Sequence, residues 1–154
     1  MTKLAFVADV HLDNHQKWGG PGKAGLNSRA HDTLAALCLA METAEAAGAE
    51  QFIVAGDLFH RSNPSPQMMT EVLSTMTDYR MPVTILVGNH DKAGADEADH
   101  ALGPLAFHTD GFVVDAPYIE QMDGGKSSVI VVPFTPGDPA VWLPEAIKKL
   151  RGTA

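Results

Sequence analysis

The chain has one cysteine, no run of basic residues, and no apolar stretch long enough to span a bilayer. The lone Cys38 cannot form an internal disulfide, so nothing points to an oxidising compartment. No basic neighbour is evident to activate its thiol, and packing in a helix face is its expected role. The N-terminal apolar run stops at Asp9, too short for the hydrophobic segment of a signal peptide. A cytoplasmic location without membrane association is the default expectation. Lysine and arginine total 11 against 19 acidic residues, a net charge of −8. Proteins that grip long stretches of nucleic acid usually present a basic face, because phosphate contacts dominate affinity. This chain alone is therefore poorly equipped for extensive nucleic-acid binding, although metal-binding carboxylates would account for part of the acidity. Repeats, low-complexity tracts and linkers are absent too. A single domain over residues 1–154 is expected, with 45% hydrophobic and 19% charged residues, ordinary for a globular protein.

What is present is an alternation of short apolar runs and helical stripes. Leu4-Ala5-Phe6-Val7, Phe52-Ile53-Val54 and Val83-Thr84-Ile85-Leu86-Val87 are β-branched-rich runs bounded by turn signals, and read as buried strands. A helix is expected from Ser28, as N-cap, to Gly48, with Leu34, Leu37, Cys38 and Met41 on one stripe. Ser65-Pro66 opens a second helix whose Met69, Val72, Leu73 and Met76 face the core. This βαβαβ series argues for a parallel sheet with right-handed crossovers. Further on, residues 97 to 107 read as a short helix interrupted at Gly103-Pro104. Residues 111–114 and 128–132 read as strands separated by the turn Asp123-Gly124-Gly125, and Pro144 as the start of a last helix to Leu150.

Each of the first three strands ends in a polar motif: Asp9-Val10-His11, Gly56-Asp57 and Gly88-Asn89-His90-Asp91. In an open α/β sheet that carboxyl edge is where ligands bind. Asp9 and His11 stand two apart, which on an ideal strand points both to one face and lets both reach one cation. Asp57 has two oxygens and can bridge two cations about 3.5–4 Å apart. Asn89 supplies a neutral amide oxygen suited to a divalent ion. His90 is expected to point toward substrate, where an imidazole protonates a leaving oxygen or stabilises phosphoryl charge, and Asp91 to hold that imidazole. Asp, Asn and Gly are ordinary turn residues, and any one motif alone is read that way first. Turn chemistry does not explain His11 and His90 in matching places, so the set reads as a metal site. His31 and His108 are read as surface or otherwise satisfied histidines and are left out of the site.

These motifs resemble the first three signatures of the calcineurin-like metallophosphoesterases. Gly56-Asp57-Leu58-Phe59-His60, followed by Asn63-Pro64-Ser65, is similar to the SbcD-type nucleases of double-strand-break repair, and the likeness covers roughly Leu4 to Pro133. The resemblance implies a layered α/β fold, the N-terminal half of an αββα sandwich, with a mostly parallel sheet and helices on one face. It implies two manganese ions, with Asp9 and His11 on the first, Asp57 bridging, and Asn89 on the second. It also implies His90 as the catalytic histidine, His60 in substrate handling or in a structural loop role, DNA as substrate and an SMC-like ATPase as partner.

The family pattern continues with a further histidine and a Gly-His-x-His motif, and neither occurs in residues 1–154. Two expectations follow. Either a second polypeptide or a second copy supplies the missing ligands, or the chain holds one metal weakly with little activity. With the family's second sheet largely missing, one face of the sheet, including alternate residues of 52–55 and 83–87, is expected to be uncovered. Three readings stay open: a DNA nuclease subunit, a phosphoesterase acting on nucleotides or phosphoproteins, and a non-catalytic half-site module.

Overall fold

Short apolar runs and capped helical stripes build an α/β structure in a computed structural model that describes residues 2–94, 99–107, 111–122 and 125–151. The chain order begins β1 (Leu4–Val7), α1 (Ser28–Ala46), β2 (Gln51–Val54), α2 (Pro66–Thr77) and β3 (Val83–Leu86). A 3₁₀ turn over Gly103–Phe107 then leads to β4 (Gly111–Val114), β5 (Tyr118–Met122), β6 (Ser127–Val131) and α3 (Pro139–Arg151). Strands β1 to β4 form one sheet in that order, every pair parallel, with Phe6 beside Ile53 and Ile53 beside Thr84. Strands β5 and β6 form a separate antiparallel pair.

The core lies between α1, α2 and one face of the sheet. Leu34, Leu37 and Met41 of α1 join Met68, Val72 and Met76 of α2 against Phe52, Val54, Val83 and Ile85. Asn27, not Ser28, caps α1, accepting a hydrogen bond from the Ala30 N–H, while Gly48 lies beyond the helix end with φ +71°. Ser65 caps α2 through the Met68 N–H, with proline in the first turn. No helix among the described residues is long and apolar enough to cross a membrane.

Four sequence expectations need correction. The opposite face of the sheet is not uncovered at its centre: Ile53 and Thr84 are buried there, 5% and 2% exposed, as is Val114. The chain returns past this region after β6, with Val131 and Pro133 buried and the Phe134 N–H bonded to the Val87 carbonyl. Toward the β1 edge the face opens, with Phe6 62% exposed. Second, β5 and β6 supply a second small sheet from within this chain, and β5 escaped the sequence reading because Glu120 and Gln121 interrupt its apolar pattern. Third, α3 begins at Pro139 with Asp138 accepting from the Ala140 N–H, so Pro144 lies inside the helix. Fourth, Gly103-Pro104 opens the 3₁₀ turn and does not interrupt a longer helix there. The expected helix start near Glu97, the Asp123-Gly124 turn and His108 lie outside the described residues.

Candidate metal centre

Both β1 and β2 end one turn before their functional residues, and the loops beyond them stay paired. The His11 and Leu12 N–H groups donate to the carbonyls of Asp57 and Leu58 at 2.9 and 3.0 Å, and the His60 N–H donates to the Leu12 carbonyl at 3.1 Å. This short parallel zipper sets His11 beside Asp57 and brings His60 into the same neighbourhood. The loop after β3 is fastened to it by Asp91. That residue is fully buried, and its Oδ1 accepts the Phe59 N–H at 3.0 Å while Oδ2 accepts the Gly88 N–H at 2.9 Å. Burial pushes the Asp91 carboxyl above the ordinary aspartate value, against the backbone N–H groups of Phe59 and Gly88, which pull it down.

The backbone at these ends is unusual. Asp9, His11 and Asp57 have φ of 54°, 49° and 52°, in the left-handed region that non-glycine residues seldom occupy. Such strain persists where the surroundings over-determine it, and it clusters at functional sites. The alternation argument for Asp9 and His11 therefore does not describe them, since neither lies in the strand. They converge nonetheless across the turned backbone, although the Asp9 side chain stays 74% exposed. A left-handed Gly56 precedes Asp57, and Gly88 leaves no room for a side chain, since a Cβ there would collide with the Asp57 amide and Oδ1.

Asp9, His11 and Asp57 each offer a ligand atom within 4.8 Å of the others. His11 Nε2 lies 3.8 Å from Asp9 Oδ1 and 3.9 Å from Asp57 Oδ2. Those spacings are too long for hydrogen bonds and suit donors that share one cation about 2.1 Å from each. The residues therefore fit a divalent ion. Asn89 is exposed and lines a cleft of about 370 Å³ with Asp9, Asp57 and Phe134. Asp57 Oδ1 accepts the His90 N–H at 2.9 Å, which leaves Oδ2 toward His11.

The His90 ring is held by an atom not foreseen in the sequence. Its Nδ1 lies 3.0 Å from the His60 carbonyl oxygen, an acceptor only, so Nδ1 carries the proton and Nε2 is left free. Asp91 does not orient this ring; it joins the loops that carry it. His11 packs edge-on against the rings of His60 and His90, with centroids 5.3 and 4.7 Å away, and His60 stacks on His90 at 5.2 Å. Burial, then the nearby His15 and His11, lowers the His60 pKa below the ordinary histidine value. His100 stands apart, facing Asp115 at 3.9 Å.

Sequence reasoning missed two neighbours of the site, Asp13 and His15, which meet His60 on its far side. A signal was available: Asp13-x-His15 repeats the Asp9-x-His11 spacing four residues later.

The profile of the calcineurin-like phosphoesterases matches residues 2–149. Over 107 residues the chain is 38% identical to the DNA double-strand break repair protein Mre11 of Archaeoglobus fulgidus, covering 67% of this chain and 23% of that protein. Over 145 residues it is 29% identical to the Mre11 of Aeropyrum pernix, covering 87% of this chain and 33% of that one. The crystal structure of Pseudomonas putida nuclease MPE aligns with a TM-score of 0.49 and 26% identity, over 77% of this chain and 50% of that one. The chain thus spans a third or less of the two Mre11 relatives.

Proposed function

The chain belongs to the calcineurin-like phosphoesterase family, and from that premise we propose that it is a metal-dependent phosphodiesterase that cleaves DNA. The observation that carries this reading is the convergence of Asp9, His11 and Asp57 beside an anchored His90. The Mre11 relatives support a nucleic-acid substrate over other phosphate esters.

In this reading Asp9, His11 and Asp57 would hold one cation, and Asp57 with Asn89 would contribute to a second. Manganese is the ion proposed for both. When bound, the ions supply a nucleophilic water at neutral pH and neutralise phosphoryl charge. The protein's own residues do the rest. Asp57 commits Oδ1 to the His90 N–H and keeps Oδ2 on the His11 side, where it would be available to a cation. The His60 carbonyl holds His90 Nδ1–H, so Nε2 is the atom turned to substrate. Protonated there, His90 donates to the departing oxygen and balances charge as the bond breaks. His60 stacks on this ring and limits its rotation. A second polypeptide or second copy as the source of the remaining ligands, an SMC-like ATPase partner and a cytoplasmic location belong to the same proposal and rest on resemblance.

The test is nucleotide release from linear DNA with Mn²⁺, comparing the wild-type chain with His90→Ala. Loss of about 10²–10⁴-fold is expected, the usual range for removing a general acid. Activity confined to small phosphate esters would assign the nucleotide or phosphoprotein reading instead, and no activity with any partner would leave a non-catalytic module.

A further inference from the structure

We propose that Asp13, His15 and His60 form an auxiliary site for a divalent transition-metal ion beside the family's centre. Their ligand atoms lie within 4.8 Å of one another, the same closeness shown by Asp9, His11 and Asp57. The spacing repeats in detail. His15 Nδ1 is 3.8 Å from Asp13 Oδ2, and His11 Nε2 is 3.8 Å from Asp9 Oδ1. That separation is beyond hydrogen-bond reach, yet two ligands of one ion held at about 2.1 Å each stand roughly 3–4 Å apart.

Asp13 Oδ2 and His60 Nδ1 are both buried and make no hydrogen bond. Arg61 Nε does approach Asp13 Oδ2 to 3.2 Å, but without hydrogen-bond alignment, and the Arg61 side chain is 68% exposed. An ion pair of that kind occupies one side of a carboxylate and accounts for neither histidine. Polar atoms withdrawn from water without hydrogen bonds are costly, and a bound cation would serve both.

The donor set defines the ion. Two imidazoles with one carboxylate favour Zn²⁺, Mn²⁺ or Fe²⁺ over Mg²⁺ or Ca²⁺, which prefer oxygen alone. Three protein ligands leave coordination positions open, as in catalytic and not structural sites. Asp13 and His15 line a cleft of about 620 Å³ together with Arg61, Asn63, Ser65 and Trp18, where an anionic group would find both a bound cation and a guanidinium. His60 stands between the two centres, its ring 4.8 Å from that of His15 and 5.2 Å from that of His90. The inference rests on these donors and does not depend on the phosphodiesterase reading.

Calorimetric titration of the full chain with Zn²⁺, after chelator treatment, tests it. The wild-type chain should bind one more equivalent than His15→Ala, and Asp9→Asn should retain the equivalent that His15→Ala loses. Asp13→Asn, nearly isosteric, should weaken that equivalent at least about tenfold, and it decides the matter if His15→Ala melts below the wild type in chelator. Equal stoichiometry and affinity in wild type and Asp13→Asn would overturn the proposal. Since the readout is metal binding, that result would leave Mn²⁺-dependent DNA cleavage and its loss in His90→Ala standing.

Discussion

Replacing Asp91 should damage the fold and the site together, and the effect can be worked out from its two bonds. The carboxylate is fully buried and accepts the Phe59 and Gly88 N–H groups. In Asp91→Ala both donors lose their acceptor inside the protein. At about 1–3 kcal/mol for each buried group left unsatisfied, the loss is roughly 4 kcal/mol. Total stabilities run at about 5–15 kcal/mol, so that is a large fraction, and for a chain of this size it lowers Tm by roughly 10 °C. Asp91→Asn keeps one acceptor and opposes its amide to the other N–H, so it should cost about half as much. The pH dependence has a definite sign. Burial raises the carboxyl above the ordinary 3.8, so the folded chain holds this proton more tightly than the unfolded chain. That contribution is fully present below 3.8 and is lost as pH rises through the raised value. Asparagine does not titrate, so the deficit of Asp91→Asn should widen in acid and narrow toward neutrality. Urea unfolding of wild type, Asp91→Asn and Asp91→Ala at pH 7 and near pH 4.5 measures all of this. An alanine variant within about 1 kcal/mol of wild type, or an asparagine deficit that shrinks in acid, would refute the reasoning.

Gly88→Ala places a Cβ against the Asp57 amide and Oδ1, so it should cost about 1–3 kcal/mol and weaken Mn²⁺ binding; wild-type affinity by calorimetry would count against the packing described here. The lowered pKa of His60 means the folded chain binds that proton less tightly than the unfolded chain. Its stabilising contribution is present above the ordinary value near 6.5 and is lost as pH falls through the lowered one. Thermal melts in chelator at about pH 7.5 and 5.5 should show a smaller acid loss for His60→Gln than for wild type, and equal losses would contradict the assignment.

The strand-end motifs made the sheet and the polar residues gathered at its carboxyl edge legible, because buried parallel strands carry unbroken apolar runs that polar residues visibly terminate. Asp57 and Asn89 were found this way, and so were His11 and His90. What stayed hidden is set by backbone geometry and by contacts distant in sequence. Asp9 and His11 converge through left-handed φ values that no spacing rule encodes. The partner of His90 is a main-chain carbonyl, and main-chain atoms carry no residue-type signal. Asp91 was read as orienting its neighbour, whereas its acceptors serve backbone N–H groups on two loops. The covered sheet face was missed because β5 is half polar and the segment after β6 was not expected to pack back on the sheet.

The parallel zipper between the loops after β1 and β2 also bears on strand register. Phe52, Ile53 and Val54 are all buried, as are Val83, Thr84 and Ile85, so neither strand distinguishes an inner face from an outer one. A slip of one residue, which in a half-exposed strand would turn its apolar side to water, carries little such penalty here. The bonds from His11 and Leu12 to Asp57 and Leu58, with the Asp91 clamp to Phe59 and Gly88, exist in one alignment only. The polar loops that assemble the ligands thus also choose among alignments that the apolar core leaves nearly equivalent.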